Sequence, residues 1–454
     1  MRDFTFIDLF AGIGGFHHAL HALGGTCVLT CELDPDCQRV YRASFNLPTE
    51  HVFVENIRSI TRASIDDENS VRSADEIRRL VPAHDVLCGG FPCQPFSKSG
   101  AQQGVRDKTR GTLFFDIMEI ARARKPRFLM LENVRNIAGP RHTETWNIVI
   151  ETIREAGYTV SRQPVVLTPH LIPPSEGGAP QVRDRVFLLC EHSPSRANSE
   201  PAPVVTREYF SESWDPDDWD ICDYLDPDDS IPNIDDYRLP ANSCAWLEAW
   251  DYLIANLPAD SLPGFPIWVS AFHERPRVRK ETPEWERNFL CKNSEFYRSH
   301  KAFLDRWLEM RWGRELNLRV HDFPASRQRF EWQARKRHPT RRNRTIRDLV
   351  CQMRPSGIRV KPPTYLPALV AITQTSVVGP GLRGVSGYRT LTPTEGSRLQ
   401  GIPSVGFARA SVSDSAAYKQ LGNAVNVGVV KLAYRALSGA LPAPVIANSL
   451  FSQC

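Results

Sequence analysis

Between residues 4 and 191, short apolar runs rich in strand formers alternate with helical patterns, and no other feature narrows the fold as much. "FTFIDLF" (4–10) is followed by a helical run with Phe16, Ala19, Leu20 and Leu23 on one face and Gly24-Gly25 as a stop. "TCVLTCE" (26–32), "HVFVE" (51–55), "HDVLCGG" (84–90), "RFLMLE" (127–132) and "RVFLLCE" (185–191) read as further strands. "TLFFDIMEIARAR" (112–124) and "TWNIVIETIREAG" (145–157) read as helices. Such alternation calls for a largely parallel sheet with helices on both faces. The "FAGIGG" turn, Glu32, Asn56, Cys93 and Glu132 all fall at or just after strand ends. In an open α/β sheet that edge is where ligands bind, so the five would meet there.

The pattern weakens near residue 192. From there to about 388 the chain is richer in Pro, Trp and charge, with an acidic stretch at 212–236 and a basic one at 327–348. Regular patterning returns in the last portion. The chain therefore reads as 1–192, a second domain over 193–403, and a helical return over 404–454. Its 454 residues, 24% charged and 41% hydrophobic with a net charge of +4, fit a globular protein and identify no partner. No apolar run reaches the ~20 residues of a membrane helix, and no secretory signal opens the sequence, so a cytoplasmic location without membrane contact is expected. The 11 cysteines then read as reduced thiols. His17, His18 and His21 read as a solvated helix face, and no metal site is expected.

Several residues invite chemistry. "DLFAGIGGF" (8–16) is a strand, a glycine-rich turn and a helix start, without the GxGxxG spacing of a dinucleotide site. Glu32, ending the next strand, could accept both hydroxyls of a ribose or be a solvated strand end. Together they suggest an adenosine-containing cofactor lacking a pyrophosphate. In "GGFPCQPFS" (89–97), Cys93 sits between Pro92 and Pro95 after two glycines, where a stiffened loop could aim a sulfur. A spare thiol, a redox sensor and a nucleophile all fit Cys93. Glu132 in "ENV" could equally cap a helix or hold a salt bridge. The alternation of "QVRDRVF" (181–187) puts Arg183 and Arg185 on one strand face, suited to an anion, a polar ring edge or a surface ladder.

Taken in order, "DLFAGIGGF", Glu32, "GGFPCQPFS", "GTLFFDI" (111–117), "ENV", "QVRDRVF", "RTLTPTEGSRLQGIP" (389–403) and "YKQLGNAV" (418–425) resemble the DNA (cytosine-5)-methyltransferases of bacterial restriction-modification systems. Asn56 departs from the family pattern, which has Asp there. The resemblance implies a Rossmann-like S-adenosylmethionine-dependent catalytic domain with a smaller, irregular target-recognition domain. Cys93 would attack carbon 6 of a flipped cytosine. Glu132 would bond N3 and the 4-amino group, Arg185 would hold O2, and Arg183 would orient the site or bind backbone. S-adenosyl-L-methionine would lie against Phe10, Ala11, Gly12, Gly14 and Gly15. Its ribose would meet Glu32 and its adenine Asn56 and Ile57, with Pro92, Leu113, Asn423 and Val425 closing the pocket. Lys98, Arg106, Lys108 and Arg110, in the loop about 97–111 that would close over the DNA, would meet phosphates or belong to a solvated mobile loop, and Ser97 would be a further DNA contact.

The second domain would read the target. Within "RPSGIRVKPPTYLPALVAI" (354–372), taken as a recognition loop and a strand, Arg354 and Arg359 are candidates for guanine or for phosphate. The acidic stretch would face away from DNA as a solvated insertion. The implied protein is a monomer that modifies double-stranded DNA, with a restriction endonuclease acting on the same site. Alternatives are a tRNA cytosine-5-methyltransferase and a non-catalytic DNA-binding module of the same fold. A nucleotide-dependent oxidoreductase using Cys93 would leave "GNAV" and the arginine pair unexplained.

Overall fold

The computed structural model describes residues 3–67, 69–92, 113–201, 214–258, 261–334, 344–371 and 376–441. Packing divides the chain into two compact units, residues 1–218 with 396–454, and residues 219–395.

In the first unit, β1 (Phe4–Leu9), α1 (Gly15–His21), β2 (Gly25–Cys31), α2 (Pro35–Ser44) and β3 (Val52–Val54) build one half of a sheet. Asp34 caps α2, accepting from the N–H groups of Asp36 and Cys37. The chain continues through α3 (Arg58–Thr61), α4 (Ala74–Leu80), β4 (Val86–Gly90), α5 (Leu113–Arg124), β5 (Phe128–Val134) and α6 (Thr143–Glu155). It then runs through β6 (Tyr158–Thr159), β7 (Val165–Leu167), β8 (Gln181–Val182) and β9 (Arg185–His192). The main sheet has the order β3-β2-β1-β4-β5-β9-β6, with β7 also on β9. β3, β2, β1, β4 and β5 are parallel, whereas β9 runs antiparallel to β5, β6 and β7.

From β1 the chain winds one way to β2 and β3, then the other way to β4 and β5. Right-handed crossovers in opposite directions put helices on opposite faces and leave a crevice between β1 and β4. "FAGIGG" follows the first of these strands and "FPC" the second. Leu9, Leu29, Leu87, Leu129, Leu131, Ile117 and Ile150 belong to one buried cluster.

The second unit carries α7 (Ala241–Asn256), β10 (Ile267–Trp268), α8 (Glu284–Ser299), α9 (Lys301–Glu309), β11 (Arg329–Trp332), β12 (Val350–Arg354) and β13 (Gly357–Lys361). The short β14 (Leu366–Pro367), β15 (Ser376–Val378) and β16 (Arg389–Thr390) follow. Its sheet has the order β10-β11-β13-β12-β15-β16, antiparallel except for β11 beside β13. Trp250 stacks on Phe330 at 4.7 Å and Trp307 lies beside it at 5.1 Å, at the centre of a separate core. Both indoles donate to backbone carbonyls, those of Arg327 and Ala249.

Helices α10 (Pro393–Gln400), α11 (Val405–Ala410), α12 (Asp414–Asn423) and α13 (Val427–Leu437) follow. Phe4 of β1 stacks on Tyr434 of α13 at 4.6 Å.

The unit boundaries differ from those read at 192/193 and 403/404. Glu200 accepts from Arg154, Ser161 and the Arg162 N–H at 2.6–3.2 Å, which carries the first unit beyond β9. At the other end, Gln400 donates to Leu421 and Asn426 donates to the carbonyl of Leu399, drawing these residues to the first unit.

The acidic stretch is only in part solvated. Asp228 is buried and pairs with Arg238 at 2.8 Å and with Arg389 at 2.7 Å. Arg389, fully buried, also binds Glu395 at 2.8 Å. This stretch staples the second unit rather than decorating it. Residues 354–372 open with a strand end and a hairpin, β12 to β13, where a loop and then a strand were expected. The turn is short enough for Arg354 to pair with Gly357.

Candidate active site

The glycine turn after β1 has an unusual backbone. Phe10 has φ +55°, a region that a bulky residue seldom adopts, and Gly12 and Gly14 follow at +54° and +86°. The turn is held by Ala11 N–H on the Cys31 carbonyl and Gly14 N–H on that of Ala11. A Cβ built on Gly12 meets no atom within 4 Å, so the space above it is open. At Gly15 a Cβ would lie 2.6 Å from the Val425 carbonyl oxygen, so this glycine permits the close approach of α1 to the α12–α13 turn.

Glu32 is fixed from both sides. Its Oε2 accepts from Gly12 N–H at 2.7 Å and its Oε1 from Asp34 N–H at 2.8 Å. Burial pushes its pKa up, and these two N–H groups act against that. Each oxygen keeps a lone pair for another donor. Asn56 is half-buried and its Oδ1 already accepts from the N–H of Arg58, the first residue of α3, at 3.0 Å. Ile57 is buried. Phe10 and Leu113 both pack on the main core. An adenosine fits these groups: open space over a glycine turn, a carboxylate for two hydroxyls and an apolar wall.

On the other side of the crevice, Glu132 Oε1 receives Arg185 Nε at 2.9 Å. Burial raises the Glu132 pKa, while the charges of Arg185 and Arg183 pull it down. The carboxylate lies across the sheet from Gly90, where a Cβ would sit 3.0 Å from Oε2. Three residues beyond Gly90 comes Cys93, which falls outside the described residues, as do Ser97, Lys98, Arg106, Lys108 and Arg110. Pro92 is exposed.

Arg183 and Arg185 do not share a strand face. The strand breaks between β8 and β9, and Arg183 turns inward, only 2% exposed. Its Nη2 donates to the carbonyls of Gly422 and Ala424, both at 2.7 Å. These flank Asn423, whose side chain is exposed, and precede the buried Val425. Arg183 therefore holds the backbone on either side of Asn423 and, together with Arg185, draws the Glu132 pKa down.

Two further residues escaped the sequence reading. Buried Asn133 donates its amide to the Phe91 carbonyl at 3.0 Å and so pins the backbone two residues before Cys93. A polar residue inside "MLENV" was the available signal. Asp8 is fully buried beneath the glycine turn, with a backbone hydrogen bond from His17 as the one interaction that favours its charged form. Burial and then the Glu32 carboxylate push its pKa well up. His17 is not on a solvated face: it stacks on Phe45 at 3.7 Å, bonds Tyr41 at 2.5 Å, and has its pKa pushed down to about 3 by burial. Among the described residues, no three His, Cys, Asp or Glu side chains are grouped to hold a metal, and no helix is long and apolar enough to cross a membrane. In the second unit, Arg354 is exposed at the end of β12, and half-buried Arg359 pairs with Glu331 at 2.9 Å.

The family model for C-5 cytosine-specific DNA methylases matches residues 4–438. The type II methyltransferase M.AluI of Cellulosimicrobium cellulans is 37% identical, over 94% of this chain and 90% of its own length. The DNA-cytosine methyltransferase of Escherichia coli K12 is 41% identical over 35% of each chain. M.HhaI of Haemophilus parahaemolyticus is 37% identical over 42% of this chain and 50% of its own. Among solved structures, the Dnmt2 methyltransferase of S. pombe superposes with a TM-score of 0.50 at 14% identity, covering 97% of this chain and 99% of its own, a likeness of fold.

Proposed function

The chain belongs to the C-5 cytosine-specific DNA methylase family and is a DNA (cytosine-5)-methyltransferase; from that premise we propose which of its residues do the work and on what. Cys93 is the nucleophile, Glu132 and Arg185 hold the target cytosine, and the turn from Phe10 to Gly15 with Glu32, Asn56, Ile57, Pro92, Leu113, Asn423 and Val425 holds S-adenosyl-L-methionine. Arg183 positions that last wall. Ser97, Lys98, Arg106 and Arg110 meet phosphates, and the second unit reads sequence. The names of the type II relatives support a role in protecting host DNA beside a restriction endonuclease that recognises the same site without stable association.

The observation that carries this reading is the Glu132–Arg185 pair across from Gly90, three residues ahead of Cys93. Carbon 5 of cytosine is a weak nucleophile. A thiolate adding to carbon 6 forms a C–S bond and sends an electron pair toward N3 and O2, so that carbon 5 becomes an enamine carbon. A protonated Glu132 would donate to N3 and accept from the 4-amino group, and Arg185 would offset the charge at O2. The bound methyl donor supplies an electrophilic methyl group at the crevice. Loss of the carbon-5 proton to solvent then lets the C–S electron pair return to the sulfur, restoring both the aromatic ring and the thiolate. The base must first leave the duplex, at a cost on the order of a few kcal/mol.

Methyl transfer from labelled donor to duplex DNA and to tRNA tests the substrate; label in tRNA alone would refute the DNA reading. Duplexes bearing 5-fluorocytosine at the target should trap the wild type covalently and should not trap Cys93→Ser. A trapped Cys93→Ser would move the nucleophile elsewhere.

A further inference from the structure

On the reading that the second unit contacts DNA, we propose that Glu331 and Gln333 are specificity-determining positioning residues that aim Arg359 at a guanine edge. Four side chains on or beside the outer face of β11 and β13 form one chain of two hydrogen bonds and an ion pair. Lys361 Nζ donates to Gln333 Oε1 at 3.0 Å, and Gln333 Nε2 donates to Glu331 Oε1 at 2.6 Å. Glu331 Oε2 receives Arg359 Nε at 2.9 Å. Register supports this chain, because Glu331 lies directly opposite Arg359 in the parallel pair. Both oxygens of the carboxylate and both ends of the amide are in use, so each member fixes the next.

Arg359 gives up only its Nε to this chain, and no described residue takes a hydrogen bond from its two terminal nitrogens. That pair is the fork that fits guanine O6 and N7. The side chain is about one-third exposed, at 32%, so the fork reaches solvent. The partner is a base edge rather than a phosphate for a reason of charge. A phosphate on this fork would be repelled by the Glu331 carboxylate, whereas N7 and O6 are uncharged acceptors. Arg354 provides the contrast: it is exposed, and among the described residues no carboxylate pairs with it, the setting of a phosphate contact.

The test uses full-length protein and a pool of duplexes randomised around a cytosine, scored by bisulfite sequencing after timed methylation. Arg359→Ala should lose its preference at one base pair by roughly 10- to 100-fold. Glu331→Gln, which keeps the shape and loses the charge, should relax the same base pair by a smaller factor. Arg359→Lys should restore charge without restoring preference, and Arg354→Ala should lower all sites together. Melting temperatures of Glu331→Gln and Arg359→Lys report on folding, since both keep side-chain volume. The inference falls if Arg359→Ala and Glu331→Gln scale every site alike, or if the wild type is selective and both variants keep its ranking. A wild type that methylates no duplex would overturn the functional reading on which this rests.

Discussion

At Glu132, burial favours the neutral carboxylic acid and the neighbouring guanidiniums favour the carboxylate. The proposed chemistry needs the proton, so methyl transfer should fall as pH rises through the raised pKa of Glu132. Arg185→Ala removes the nearer opposing charge. It should lower single-turnover rates by roughly 10²–10³-fold and move the descending limb to higher pH. Rate–pH profiles of the two proteins check this, and a limb that stays in place would separate Glu132 from Arg185. Glu132 and Arg185 were legible as motif residues because one lies near the end of β5 and the other opens β9. The inward turn of Arg183 was not, because its acceptors lie 239 and 241 residues away and strand alternation alone implied the opposite. Asp228 was misjudged for a similar reason: its acidic neighbours suggested solvent, whereas Arg238, Ser386 and Arg389 partner it, the last two far along the chain.

Among elements, the α12–α13 turn depends on a clamp outside itself. Arg183→Met would leave the Gly422 and Ala424 carbonyls buried without their charged donor, costing about 2–4 kcal/mol. Its more telling effect should be a rise in KM for the methyl donor that exceeds the fall in kcat, with Arg183→Lys intermediate. Calorimetric titration with S-adenosylhomocysteine and with DNA checks this; an equal loss of both affinities would mean general loosening instead. The strand–helix alternation of the first unit was readable because its parallel strands β1, β2, β4 and β5 are mostly buried and bounded by turns, with only the edge strand β3 half-exposed. Helix α7 was obscured because Ala245, Leu247, Ala249, Trp250, Leu253 and Ile254 are all buried, leaving no polar stripe to reveal its period. β10, β15 and β16 have two or three residues each, too few for a period of two to stand out.

For the whole molecule, two separate cores imply two melting events. Arg389 lies between Asp228 and Glu395, all three in the second unit. Arg389→Met would strand two buried carboxylates at a cost of about 3–5 kcal/mol. Scanning calorimetry should show the transition of residues 219–395 moving down while S-adenosylhomocysteine still shifts the other transition; a common shift of both would argue against separate cores. Acid should act on the same unit. Burial alone would raise the Asp228 pKa, but Ser386, Arg389 and Arg238 hold it below the usual carboxylate range. The stabilisation it contributes is present above that range and is lost as pH falls through the lowered pKa, so Asp228→Asn should flatten the acid limb. The stacking of Phe4 on Tyr434, with Arg183 clamping Gly422, also bears on the order of assembly. A ribosome that has released the first strand must still deliver more than four hundred residues before that strand finds its last neighbour. With the donor site as proposed, the nascent chain emerges with that pocket unfinished, and methylation waits for synthesis to reach the closing helices.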